Sequence, residues 1–131
     1  MASMIAAILQ SGEPERLYTA LSLLVSAAAD GTPARGLVTF GALGPLLDPA
    51  LAEHADLDAP HVRAEEREPF AHTLGELREL AHELPDCRLW ACAAAVEATG
   101  ANRAAVEDRL DGVMSTPRFL RETAGAQLVV V

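Results

Sequence analysis

Cys92 stands in the stretch CRLWACAAAVEATG, residues 87–100, directly behind an apolar run and directly before an alanine-rich segment. That order predicts a short buried strand, Arg88 to Ala91, which delivers a thiol to the start of a helix. Unpaired backbone N–H groups at a helix N-terminus carry partial positive charge, which favours the thiolate over the thiol and so favours nucleophilic chemistry. The chemistry on offer is nucleophilic attack by the thiolate. The competing reading is a small hydrophobe that fills a strand-to-helix corner, since free cysteine is among the most buried residue types.

Cys87 is the only other cysteine. Residues five apart on one strand point to opposite faces with their Cα atoms roughly 16 Å apart, beyond disulfide reach. Both are therefore expected as free thiols, in keeping with a reducing compartment. The start, MASMIAAILQ, lacks a charged n-region and reads directly into a strand, so no secretory signal is expected and cytoplasmic residence is the default.

The elements that must position Cys92 follow from periodicity. Met4 to Leu9 is an unbroken apolar run of strand length, closed by Gln10-Ser11-Gly12-Glu13-Pro14; such a run fits a strand buried on both faces of a parallel sheet. From Pro14 to Ala29, Leu17, Ala20, Leu21, Leu24 and Ala28 recur at helical spacing, and Ala34 to Phe40 supplies a second strand. Strand, helix, strand is one right-handed crossover unit. Thr73 as N-cap with Glu76 three residues on predicts a helix that buries Leu74, Leu77, Leu80, Ala81 and Leu84, turns Glu76, Arg78, Glu79 and Glu83 outward, and stops at Pro85. Behind Cys92 a helix closes at Gly100, another runs from Arg103 to Leu110 with Asn102 as cap, a brief strand covers Val113 to Ser115, a helix starts at Thr116-Pro117, and Leu128 to Val131 ends on a strand.

This alternation predicts a single domain, residues 1–131, of the α/β class: a three-layer α/β/α sandwich on a mainly parallel sheet of four or five strands. Pro45, Pro49, Pro60 and Pro69 punctuate an acid-rich stretch, about 45–70, which reads as a flexible loop with a short helix near Pro49 to His54. Half the residues are hydrophobic but only 4% are aromatic, so the core is built from Leu, Val and Ala. The net charge of −9 and ten scattered basic residues exclude a phosphate-backbone partner and disfavour an anionic membrane surface. So hydrophobic a chain of this size leaves apolar surface over once one core is filled, which predicts a homo-oligomer.

In parallel sheets ligands bind at the carboxyl ends of the strands. The loops from Gln10 to Pro14 and from Gly41 to Pro45 leave at that edge, as does Cys92, whereas Cys87 lies at the opposite end. Ser11, Gly12 and Gly41 would line a pocket there through backbone N–H groups, with ordinary turn duty as their other reading. His54, Asp56, Asp58 and His61 lack the spacing of zinc sites, and His72 and His82 read as surface residues, so neither a metal nor an organic cofactor is expected.

Several of these residues together resemble the DsrE/DsrF-like family. The resemblance rests on the LWAC strand, the small-residue helix closed by Gly100, the Leu110-Asp111-Gly112-Val113 turn, the helix start at Thr116 to Leu120 before a valine-rich end, the Gln-Ser-Gly behind the first strand and the Thr-Phe-Gly behind the second. It implies a small cytoplasmic α/β protein that forms trimers or hexamers. It also implies sulfur relay, with a persulfide carried on Cys92 between donor and acceptor proteins. The rivals are a thiol oxidoreductase or peroxide-reactive protein working through sulfenic acid, and a non-catalytic oligomeric binding module in which Cys92 is packed.

Overall fold

The computed structural model describes residues 3–53 and 58–131. Strands β1 (Ile5–Leu9), β2 (Ala34–Val38), β3 (Cys87–Cys92), β4 (Val113–Met114) and β5 (Gln127–Val130) form one all-parallel sheet in the order β4-β3-β2-β1-β5. Helices α1 (Pro14–Ala29), α2 (Leu43–Leu47), α3 (Arg67–Glu83), α4 (Ala93–Thr99), α5 (Arg103–Arg109) and α6 (Thr116–Glu122) connect them. This is the expected α/β fold. Its sheet has the upper of the two strand numbers.

The strand order explains the layers. The chain steps outward from β1 to β4 and then returns across the sheet to place β5 beside β1. Right-handed crossovers put every helix of the outward run on one face and the return helix on the other. Accordingly α1 and α3 pack together over one face, where a side chain on Gly36 would meet Leu9, Leu24 and Leu89. On the other face Phe119 of α6 is fully buried and stacks edge-on against Trp90, ring centroids 6.3 Å apart. That second layer is thin. Leu128 and Val130, whose registry partners Ala6 and Ile8 point the same way, remain 50% and 59% exposed on it.

The segment between β2 and β3 departs most from expectation. Residues 45–70 are not one loop: α2 carries Pro45, short 3-10 turns cover Leu51–Glu53 and Ala64–Glu66, and α3 begins at Arg67. Proline breaks a helix interior by lacking an N–H and crowding the preceding turn, but within the first turn that N–H would be unpaired anyway. Pro69 is the third residue of α3, so it does not stop the helix. Thr73 is no cap either, because its hydroxyl donates to the Pro69 carbonyl at 3.0 Å inside the helix. The buried face is Ala71, Leu74, Gly75, Arg78 and Ala81, turned toward the Leu51–Glu53 segment that lies against Gly75, while Leu80, expected in the core, is exposed. The expected helix near Pro49 is the turn Leu51–Glu53; its last residue, His54, lies outside the described residues.

That turn seats directly on α3. A β-carbon on Gly75 would collide with the Ala52 side chain and lie 3.0 Å from its Cα. An exposed helical Gly→Ala exchange gains about 1 kcal/mol in propensity. Here Gly75→Ala is expected to lose about 1–3 kcal/mol, as overpacking against backbone does. Urea unfolding that found the variant more stable would contradict this packing.

Candidate functional site

Cys92 is the last residue of β3 and the N-cap of α4, with extended backbone at φ −64° and ψ 124°. Its side chain shares the Trp90 face of the sheet. Met114, its registry partner on β4, is buried beside it, and Sγ lies 4.0 Å from Oγ1 of Thr116 at the start of α6. Ser115 holds that start by accepting a hydrogen bond from the Arg118 N–H at 3.3 Å. The thiol is 4% exposed. It occupies the edge where chemistry is expected, but is buried there, with Thr116 against its sulfur.

Cys87, also free, begins β3 on the opposite face. Burial pushes its thiol from an ordinary 9.0 up to about 11, with Asp111 adding to the rise and Arg35 and Arg88 opposing it. Asp111 is fixed there because its carboxylate accepts the Leu89 N–H at 2.8 Å. At neutral pH Cys87 is thus a protonated core residue.

The residues expected to line a pocket instead lock two loops together. Ser11 accepts a hydrogen bond from the Glu13 N–H at 3.1 Å, a turn role. A side chain on Gly12 would strike the Gly41 carbonyl, and one on Gly41 would come within 2.8 Å of the Gln10 carbonyl. The β1 and β2 loops therefore touch backbone to backbone, and only glycine permits that approach.

Of the three, Gly41 also borders an apolar cleft of about 660 Å³, with Phe40, Leu43, Leu47, Thr99 and Asn102 among its other walls. Cys92 is not on that lining. Phe40 has φ 32°, the one non-glycine residue with positive φ among those described, and is 54% exposed. Left-handed backbone at a bulky residue costs about 1–3 kcal/mol and tends to mark functional edges. The sequence signal for it was the Thr39-Phe40-Gly41 step, an aromatic placed where the chain must turn sharply.

No family model matches the chain, and a search of curated proteins finds no match. The site therefore has to be read from its own chemistry.

Among the described residues no three His, Cys, Asp or Glu side chains gather; of the four residues weighed as a cluster, His54 and Asp56 lie outside them. His61 is engaged elsewhere. Its backbone N–H and Nδ1 both lie 2.8 Å from the Glu15 carboxylate, which ties the segment before α3 to α1 and draws the Glu15 pKa down. Among the described residues no helix is long and apolar enough to cross a membrane.

Sequence spacing could have exposed one further residue. Arg78 follows Ala71, Leu74 and Gly75 at helical intervals and is only 6% exposed, not turned outward as expected.

The high-pH behaviour of Cys87 follows from its shift. Below pH 9 both folded and unfolded chains hold the proton. Between pH 9 and 11 only the unfolded chain releases it, so folding stability falls as pH rises. The sequence has no lysine, which leaves few other groups to titrate in that window. The stability difference between the wild type and Cys87→Ala should shrink by about 2 kcal/mol from pH 9 to pH 11, read by urea unfolding; a constant difference would refute the assignment.

Proposed function

We propose that the chain is a persulfide carrier of sulfur-relay type, with Cys92 as the carrying thiol. One observation carries this reading: of the two thiols, Cys92 alone ends a parallel strand at the edge where such sheets place chemistry, while Cys87 stays protonated in the core. In the transfer the Cys92 thiolate attacks the outer sulfur of a persulfide donor, an S–S bond forms on Cys92 and the donor leaves as its thiolate. An acceptor thiolate then attacks the terminal sulfur and releases Cys92. The step needs neither metal nor redox cofactor, and donor and acceptor are thiol proteins.

The burial of Cys92 supports a second reading, a non-catalytic binding module in which the thiol is packing. Intact mass after exposure to polysulfide separates the two. The carrier gains about 32 Da, one sulfur atom, in the wild type and not in Cys92→Ser. No adduct leaves the module, and oxygen adducts after peroxide make the protein a thiol oxidoreductase.

We also propose that the chain forms a homo-oligomer, a trimer or hexamer. Support comes from the sheet face that α6 covers only in part, where Leu128 and Val130 of the edge strand β5 are half-exposed, and from Leu120 of α6, 52% exposed. Pairing Leu128→Glu with Val130→Glu should give a folded monomer by light scattering, since charge on a buried apolar patch opposes association. A monomeric wild type at micromolar concentration would rule the assembly out.

A further inference from the structure

We propose that Arg78, Arg109 and His82 form a binding site for a small tetrahedral oxyanion, phosphate or sulfate in kind, in which the Glu79 carboxylate is the built-in occupant that the ligand displaces. The site is a cavity of about 240 Å³ lined by Arg78, Glu79 and His82 of α3 and by Asp108 and Arg109 of α5. Every residue on its wall is ionisable. Its volume falls below the roughly 300–1,000 Å³ of pockets for larger organic ligands, which points to an ion.

The Arg78 guanidinium on its wall is only partly used. Arg78 donates from Nη1 to the Asp48 carbonyl and from Nη2 to Glu79 Oε1 at 3.3 Å, while Nε has no hydrogen-bond partner. It is the one buried side-chain nitrogen or oxygen among the described residues left so, and in folded proteins such atoms are rare enough to call for an explanation. Arg109 Nη1 reaches the same Glu79 oxygen at 3.7 Å. Two cations thus share one carboxylate oxygen at distances well beyond the roughly 2.7–2.9 Å of good charge-assisted bonds.

A tetrahedral anion offers several acceptors to the same two forks. It would also offset the burial and the Arg109 repulsion that pull the Arg78 pKa below its ordinary range. Glu79 is half-exposed and has room to swing into solvent. In place, it and Asp108 face the two arginines, and Asp48 also acts on Arg78; with it out, one carboxylate fewer opposes an incoming anion, and His82 adds a further donor.

Thermal unfolding in rising inorganic phosphate, against sodium chloride of equal ionic strength, tests the proposal. The wild type should show a saturable rise in Tm that chloride does not give. Arg109→Gln should weaken phosphate binding about tenfold, the loss of one charged hydrogen-bond donor, and Glu79→Gln should tighten it several-fold by removing the internal competitor. Both side chains are partly exposed, so the fold tolerates the exchanges. Amide NMR of the wild type under the same titration should move signals of residues 78, 82 and 109. A response no greater than chloride's, unchanged affinity in Arg109→Gln, or signals that stay still would each overturn the site.

Discussion

Parallel strands all release the chain at the same edge, and that constraint underlies every feature of this molecule. Because β1, β2 and β3 run side by side in one direction, the segments behind Leu9, Val38 and Cys92 are forced into one small volume. Glycine backbones fill the first two meeting points, a strained Phe40 the next step, and a thiol the third. Gly12, the Phe40-Gly41 pair and Cys92 are far apart in sequence. Their neighbourhood is a product of strand direction, and a change that weakened the pairing would disperse all of them together.

The crossover rule then decides what is covered and what is not. Winding outward on one face stacks α1 and α3 into a thick layer, whereas the single return stroke leaves the opposite face to α6. Cys92 lies on the thinly covered side, under Thr116 at the start of that one short helix. Its access to solvent is therefore governed by the anchoring of α6, through Ser115 at one end and Phe119 against Trp90 in the middle. Helices this short draw little stability from their own hydrogen bonds and depend on such contacts.

Local signals in the sequence were the reliable ones. Pro14 and the leucine spacing mark α1 from its first residue to its last, Asn102 caps α5 through the Ala105 N–H as its type suggests, and the placement of Cys92 between strand and helix is legible from the residues around it. What failed depended on reading one residue's effect without its position: Pro45 and Pro69 each fall in a first turn and so do not interrupt their helices, and Thr73 lies inside α3 and so does not cap it. What local signals did not decide was decided by distant partners. The burial of Cys92 is imposed by Met114 and Thr116, more than twenty residues on, and the burial of Arg78 by a carbonyl at Asp48, thirty residues before it.

The position of β5 beside β1 has a consequence for how the molecule forms. Residues 5–8 find their second neighbour only in residues 127–130, about the longest separation the chain permits. Non-local pairings of this kind are slow, because the loop between the strands must close before their hydrogen bonds form. During synthesis, the apolar edge of β1 is thus open for the whole time that the intervening residues are being made. When β5 arrives it covers the β1 edge and becomes the edge strand itself, so the ribosome-bound intermediate and the folded sheet each present a different strand to a passing chain.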